Sequence, residues 1–218
     1  LMGATAQGVL WGIMALGVYI TYKLLKISDL TVDGSFALGG CVCAVLILGG
    51  MSPALATLIA IIAGLAAGAV TGILHTVFNI PAILSGILTQ ISLWSINLRI
   101  MSGKSNLPLL NSETIISFFV GRSGSSTIES ASGFAKALGM TQSTASLVIG
   151  IVIAVVIVAI LYWFFGTEIG SALRATGNNE AMIRALGVNT NRTKLLALMI
   201  SNALVSFSGA LVAQSQKY

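Results

Sequence analysis

Residues 166–194, GTEIGSALRATGNNEAMIRALGVNTNRTK, hold Arg174, Arg184, Arg192 and Lys194, four of the 11 basic residues of the chain. Residues 145–165 before them carry no charge, and neither do residues 195–213 after them. A polar, arginine-bearing segment between two apolar runs of membrane-crossing length reads as a cytoplasmic loop. The segment also predicts its own local order. Asn178 and Asn179 are good helix caps, Glu180 suits the positive end of a helix dipole, and Gly187 suits the stop. A short helix over 180–186 is expected, and with it a structured surface for something to dock on.

Composition sets the class around that loop. Of the 218 residues, 56% are apolar and only 8% charged, and the mean hydropathy is +0.98. Soluble domains average about 25% charged residues. The chain is therefore an integral membrane protein in a lipid bilayer: an all-α, polytopic transmembrane helical bundle of about six spans, with 1–218 as a single domain. The net charge of +5 comes from residues near segment ends, which set topology. No basic face for nucleic acid is present. Cys41 and Cys43, two apart in an apolar run, face different ways on a helix and match no zinc spacing, so they read as packing residues. His75 has no second ligand near it in sequence and reads as interfacial; no metal or cofactor is expected.

Along the chain, the first span covers 8–25 and ends at Lys23 and Lys26. Residues 28–35, SDLTVDGS, are polar and turn-prone, and the apolar run after them, 36–48, is shorter than the roughly 17–25 residues a span needs. Two readings stay open. The run is half of a broken helix, with an Asp33-Gly34-Ser35 turn inside the membrane against protein or a water-filled cavity; or it is a tilted or longer helix after an ordinary loop. The third span, 54–77, carries Gly64, Gly68 and Gly72 in steps of four, a stripe for close helix packing. The fourth, 82–100, is polar for its length. Gln90, Trp94 and Asn97 share one face of it, serving as helix-helix glue or as a pathway lining. Asp33 and Ser35 join them as pathway candidates. Residues 101–144 form a long Ser/Gly-rich loop, with short helices expected near 115–120 and 132–138. Its weak charge bias fits the outer face, which puts the N-terminus outside and Lys23 and Lys26 inside. The last span, 195–213, has a small-and-polar packing face of Ser201, Asn202, Ser206, Ser208 and Gly209.

The motifs carry a family resemblance. Asp29-Leu30-Thr31-Val32-Asp33-Gly34-Ser35-Phe36-Ala37-Leu38-Gly39-Gly40 resembles the signature after the first span of bacterial ABC importer permeases of the branched-chain amino acid and ribose type. Asn79-Ile80-Pro81 with Ile96-Asn97-Leu98-Arg99-Ile100-Met101 is similar to the tryptophan/tyrosine transport permease branch. Leu173-Arg174-Ala175-Thr176-Gly177-Asn178-Asn179 and Ala185-Leu186-Gly187-Val188-Asn189 resemble that family's coupling segment. Glu180-Ala181 echoes the Glu-Ala-Ala motif of many ABC permeases, with Met182 in the third place and Gly187 one residue late. Family members continue for further spans, so the resemblance implies a chain truncated at its C-terminal end.

What the resemblance implies is a permease subunit of the bacterial plasma (inner) membrane. Its partners would be a cytoplasmic ABC ATPase, a second permease copy and an extracytoplasmic substrate-binding protein. Arg174, Gly177, Asn178, Glu180, Ala181, Arg184, Ala185 and Gly187 would form the ATPase-coupling surface. The solute would be small, an amino acid or similar, with an aromatic one suited by Trp94. The chain itself has no GxxxxGK[ST] stretch for ATP. A stand-alone secondary transporter or channel is the alternative, against which stands the lack of an ionisable residue well inside a span. A membrane enzyme would want paired carboxylates, a metal motif or a nucleophile with its base, and one histidine far from any acid supplies none of these. A purely structural membrane scaffold is the remaining class.

Overall fold

A computed structural model describes residues 2–104, 107, 109 and 142–216. Helix α1 (Met2–Tyr19) continues through a π-helical turn, Ile20–Leu24. Then come α2 (Val32–Leu48), α3 (Pro53–Thr76), α4 (Ala82–Ile100), α5 (Gln142–Gly166), α6 (Glu168–Asn178), α7 (Glu180–Ala185) and α8 (Thr190–Gln216). Five helices, counting α1 with its π turn, are long and apolar enough to cross a membrane, and α2 is a shorter apolar helix of 17 residues. No strand occurs among the described residues. The expected helices near 115–120 and 132–138 lie outside the described residues.

Helix α8 is the centre, 67% buried along its apolar stretch, and its neighbours reach it through glycines. A methyl group at Gly64 would run into Asn202 and Ser206, one at Gly68 into the Leu198 carbonyl, and one at Gly72 into Leu195. Gly39 of α2 and Gly17 of α1 meet α8 backbone in the same way. Helices that approach this closely gain dispersion contacts along their whole seam, which is what holds helices together where lipid is as apolar as leucine. The seam hydroxyls find acceptors on neighbouring helices. Ser201 donates to the Gly17 carbonyl at 2.7 Å, Ser206 to that of Ala60 at 2.6 Å, and Ser208 to that of Leu10 at 2.7 Å. A hydroxyl buried without an acceptor would cost about 1–3 kcal/mol.

The order of these contacts fixes the direction of each helix. Moving along α8 toward its C-terminus, α3 is met at Gly72, then Gly68, then Gly64, so α3 is antiparallel to it. Helix α1 is antiparallel too, since Gly17 meets Ser201 and Leu10 meets Ser208. Helix α2 is parallel, with Ser35 on Asn202 and Cys43 on Gln214. Thus α2 counts as a crossing despite its length.

That crossing starts inside the bundle. Ser35, in the first turn of α2, is level with Asn202, halfway along α8, while Leu24 at the end of the π turn packs on Gly177 of α6. Non-helical residues 25–31 climb between those two levels. The helix break therefore precedes Asp33-Gly34-Ser35, and the turn expected at those three residues is helix instead. The physical reason lies at Asp29, whose Oδ1 accepts the Thr31 backbone N–H at 2.9 Å and so starts α2 earlier. Protein packs on part of the break, while Lys26, Ser28 and Leu30 stay exposed. Ile27 donates its N–H to the Thr21 carbonyl at 3.0 Å, and Gly86 lets α4 lie directly against the Leu30 backbone.

Candidate functional site: a groove beside α2 and a projecting helix

Two features stand out on this frame, one among the spans and one at the end where α6 and α7 lie. The first begins with the polar groups of the α2 start. Ser35 donates to Asn202 Oδ1 at 2.6 Å, and Asn202 Nδ2 donates to Asp29 Oδ2 at 2.8 Å. Thr31 and Thr71 share a hydroxyl hydrogen bond at 2.8 Å. Ser35, Thr31 and Asn202 are fully buried, and their bonds tie α2, α3 and α8 together. Ser35 is thus placed away from any open space. Its helix neighbours differ. One hundred degrees of helical rotation per residue puts Asp33 on the opposite side from Ser35.

There Asp33, Gln90, Trp94 and Asn97 line one cavity of about 330 Å³ between α2 and α4. Gly34 makes the approach possible, because a side chain there would press on Gln90 and Leu93. Asn97 donates to the Gly34 carbonyl at a long 3.4 Å, and its Oδ1 is buried with no hydrogen-bond partner among the described residues. A second cavity of about 200 Å³ continues along α2 toward Gln216 and shares Ala37, Cys41 and Met101 with the first. Positions 33, 37, 41 and 44 recur on one helix face, so the two cavities form a groove down one side of α2. Cys41, expected to be a packing residue, stands where the cavities join, with its thiol 3.2 Å from the Met101 sulfur. Cys43 is fully buried and accepts from Gln214 at 3.0 Å.

The second feature is α7. Asn179 caps it, accepting the Met182 N–H at 3.1 Å, and Gly187 ends it with φ of +87°, a conformation glycine adopts without strain. No residue of α7 is buried. Ala181, Met182, Arg184 and Ala185 are exposed, as are Leu186 and Gly187 after it. Arg184 is exposed and binds Glu180 and the Thr190 hydroxyl, both at 3.1 Å. Lys194 of α8 grips the other Glu180 oxygen at 2.7 Å. That hydrogen bond, with help from Thr190 and Arg184, holds the Glu180 carboxyl below its usual range.

Below α7 the segment is a second helix rather than a loop, held by Gly177 and by Arg174, which stays exposed. Gly177 is pressed against the Leu24 carbonyl, where any side chain would overlap backbone. Arg174 donates to the Phe165 carbonyl at 2.9 Å, closing the C-terminal end of α5. Asn178 is exposed at the end of α6. The signal for α6 was present: Thr167 is its cap, accepting the Gly170 N–H at 3.4 Å, and Gly170, Leu173 and Thr176 recur at helical spacing on its buried face. His75 donates its Nδ1–H to the Ile80 carbonyl, 2.9 Å away, within the α3–α4 connection.

Apolar spans around a small-residue centre, a groove beside one of them and a solvent-projecting helix define a multi-pass membrane transport protein. The family model described as "Branched-chain amino acid transport system / permease component" matches residues 1–218, and the chain belongs to that family, the permeases of ABC importers. It is 39% identical over 214 residues to the tyrosine transport system permease protein of Clostridioides difficile, covering 98% of this chain and 64% of that one. It is 33% identical to an uncharacterized protein of Rickettsia prowazekii, over 98% of this chain and 68% of that one. The ribose import permease protein of Escherichia coli is 26% identical over 90% of this chain and 56% of its own length. The chain therefore spans between 56% and 68% of these relatives. No solved structure matches it.

Proposed function

We propose that the chain forms the membrane pathway of an ATP-driven importer for a small solute, an amino acid and by preference an aromatic one. The carrying observation is α7, a helix with no buried residue that is nonetheless fixed at its base by the Asn179 cap and the Glu180–Lys194 pair. An apolar tip of Ala181, Met182, Ala185 and Leu186 held out in solvent suits insertion into a cleft of a cytoplasmic ATPase subunit. Residues 166–194 are then the cytoplasmic coupling segment and residues 101–144 face outward, toward a substrate-binding protein. A second permease copy completes the pathway. ATP-driven closure of the ATPase pair rocks α8 and the helices packed on it, opening the pathway alternately to each side. The membrane is the bacterial plasma membrane, and the tyrosine permease relative supports the amino-acid reading.

The test is co-purification. In the full-length protein, Ala181→Trp with Ala185→Trp leaves insertion and monodispersity unchanged and removes the co-purifying ATPase subunit. ATPase retained at the wild-type ratio would overturn the docking assignment.

A further inference from the structure

The α2–α4 cavity has a chemical bias that goes beyond a generic pathway. One carboxylate, Asp33, lines it, and no basic side chain does among the described residues. Asn97 adds a buried acceptor without a partner. Turning that amide over would not relieve it, since Oδ1 would then face the Gly34 carbonyl that Nδ2 now serves. Leaving such an oxygen unpaired is unfavourable, and the cost is removed when a donor arrives. An anion and an orphaned acceptor together favour a cationic donor. Gln90 supplies an amide that both donates and accepts, and Trp94, Leu98 and Met101 supply apolar wall. At about 330 Å³ the cavity is at the small end of ligand sites.

Resting on the importer reading above, we propose that this cavity is a recognition subsite for an α-amino acid with an apolar side chain. Asp33 and Asn97 Oδ1 receive the α-ammonium, and Gln90 sits beside the carboxylate. The side chain lies along Trp94, Leu98 and Met101. Cys41 closes the far end, where the cavity meets its neighbour, so a bound solute covers its thiol. A sugar can offer hydroxyl donors to the carboxylate but no positive charge, and its many hydroxyls are disfavoured by the apolar wall.

Cys41 makes the proposal measurable without any ATPase. The full-length permease alone, in lipid nanodiscs, is labelled with a charged methanethiosulfonate, with Cys41→Ser separating Cys41 from buried Cys43. L-tyrosine or L-leucine at ten times its dissociation constant slows labelling about tenfold, by mass action. Deaminated 3-(4-hydroxyphenyl)propionate and D-ribose leave the rate unchanged. Asp33→Asn and Asn97→Leu abolish the protection, and a wild-type gel-filtration profile shows that both variants are folded. An unlabelled Cys41, protection by neither amino acid, equal protection by the deaminated analogue, protection by ribose, or protection that survives Asp33→Asn would each overturn it. Because no ATPase is present, these results stand apart from the co-purification test of α7.

Discussion

Helices α5 and α8 flank the same polar segment, yet they are opposites. The apolar stretch of α5 is 11% buried and that of α8 is 67% buried. The face of α5 is valine, isoleucine and aromatic: Val152, Val155, Ile160, Tyr162 and Trp163 are all exposed. The buried face of α8 includes Ala197, Ser201, Asn202, Ser206, Ser208 and Gly209 beside Leu198, Val205, Leu211 and Val212. A soluble protein would place them the other way round. In lipid, burying leucine gains nothing over leaving it exposed, so centrality goes to the helix whose small residues permit close approach and whose polar groups can pair. The most apolar span is the one that the rest of the protein uses least.

The largest way to break that contrast is a side chain in the α3–α8 seam. Gly68→Leu forces a side chain into the Leu198 carbonyl, where only backbone could give way. The expected loss is about 3 kcal/mol or more, seen as aggregation on fluorescence-detected gel filtration or a sharply lower melting point. Val155→Leu, on the lipid face of α5, should change stability by less than about 0.5 kcal/mol. A monodisperse Gly68→Leu variant melting with the wild type would mean that α3 and α8 do not pack backbone against backbone.

A smaller effect sharpens the role of the polar centre. Asn202→Leu removes a partner of both Ser35 and Asp29 and leaves the Ser35 hydroxyl and Asp29 Oδ2 unpaired. The expected cost is about 1–3 kcal/mol. It should act chiefly on the break before α2, so proteolysis or hydrogen exchange over 25–31 should rise more than over α5. Uniform exchange across both regions would make Asn202 an ordinary seam residue.

Much of this contrast is legible in the amino-acid sequence. Unbroken apolar runs give the spans, the Gly64-Gly68-Gly72 spacing marks the α3 face that meets α8, and Asn179 and Gly187 bound α7. Three things are not. The start of α2 depends on Asp29 reaching Thr31, a side-chain bond that competes with the turn propensity of Asp33-Gly34-Ser35. Ser35 and Asp33 look alike as pathway residues because sequence gives their spacing without showing which face the bundle takes up. Gly177 looks like a surface residue of a loop because its contact, the Leu24 carbonyl, belongs to the π turn after α1. Each miss is a tertiary contact that local pattern does not encode.

The faintest effect lies where α8 meets the projecting helix. Glu180 is held by Lys194 and Arg184, and with its side chain 37% exposed the pairs contribute about 0.2–1 kcal/mol at most. Because folding lowers the carboxyl's pKa, that contribution is complete above the unfolded value near 4.3 and fades as pH falls through the lowered folded value. Glu180→Gln should therefore loosen α7 slightly at neutral pH, detectable as faster exchange of the Met182 amide, and the difference from wild type should vanish in acid. Salt should shrink it as well. A difference that persists unchanged at acid pH would mean that Glu180 acts through packing rather than charge. The projecting helix would then owe its position to the Asn179 cap, Gly187 and the Arg184–Thr190 hydrogen bond, with α8 contributing nothing to the tip through Lys194.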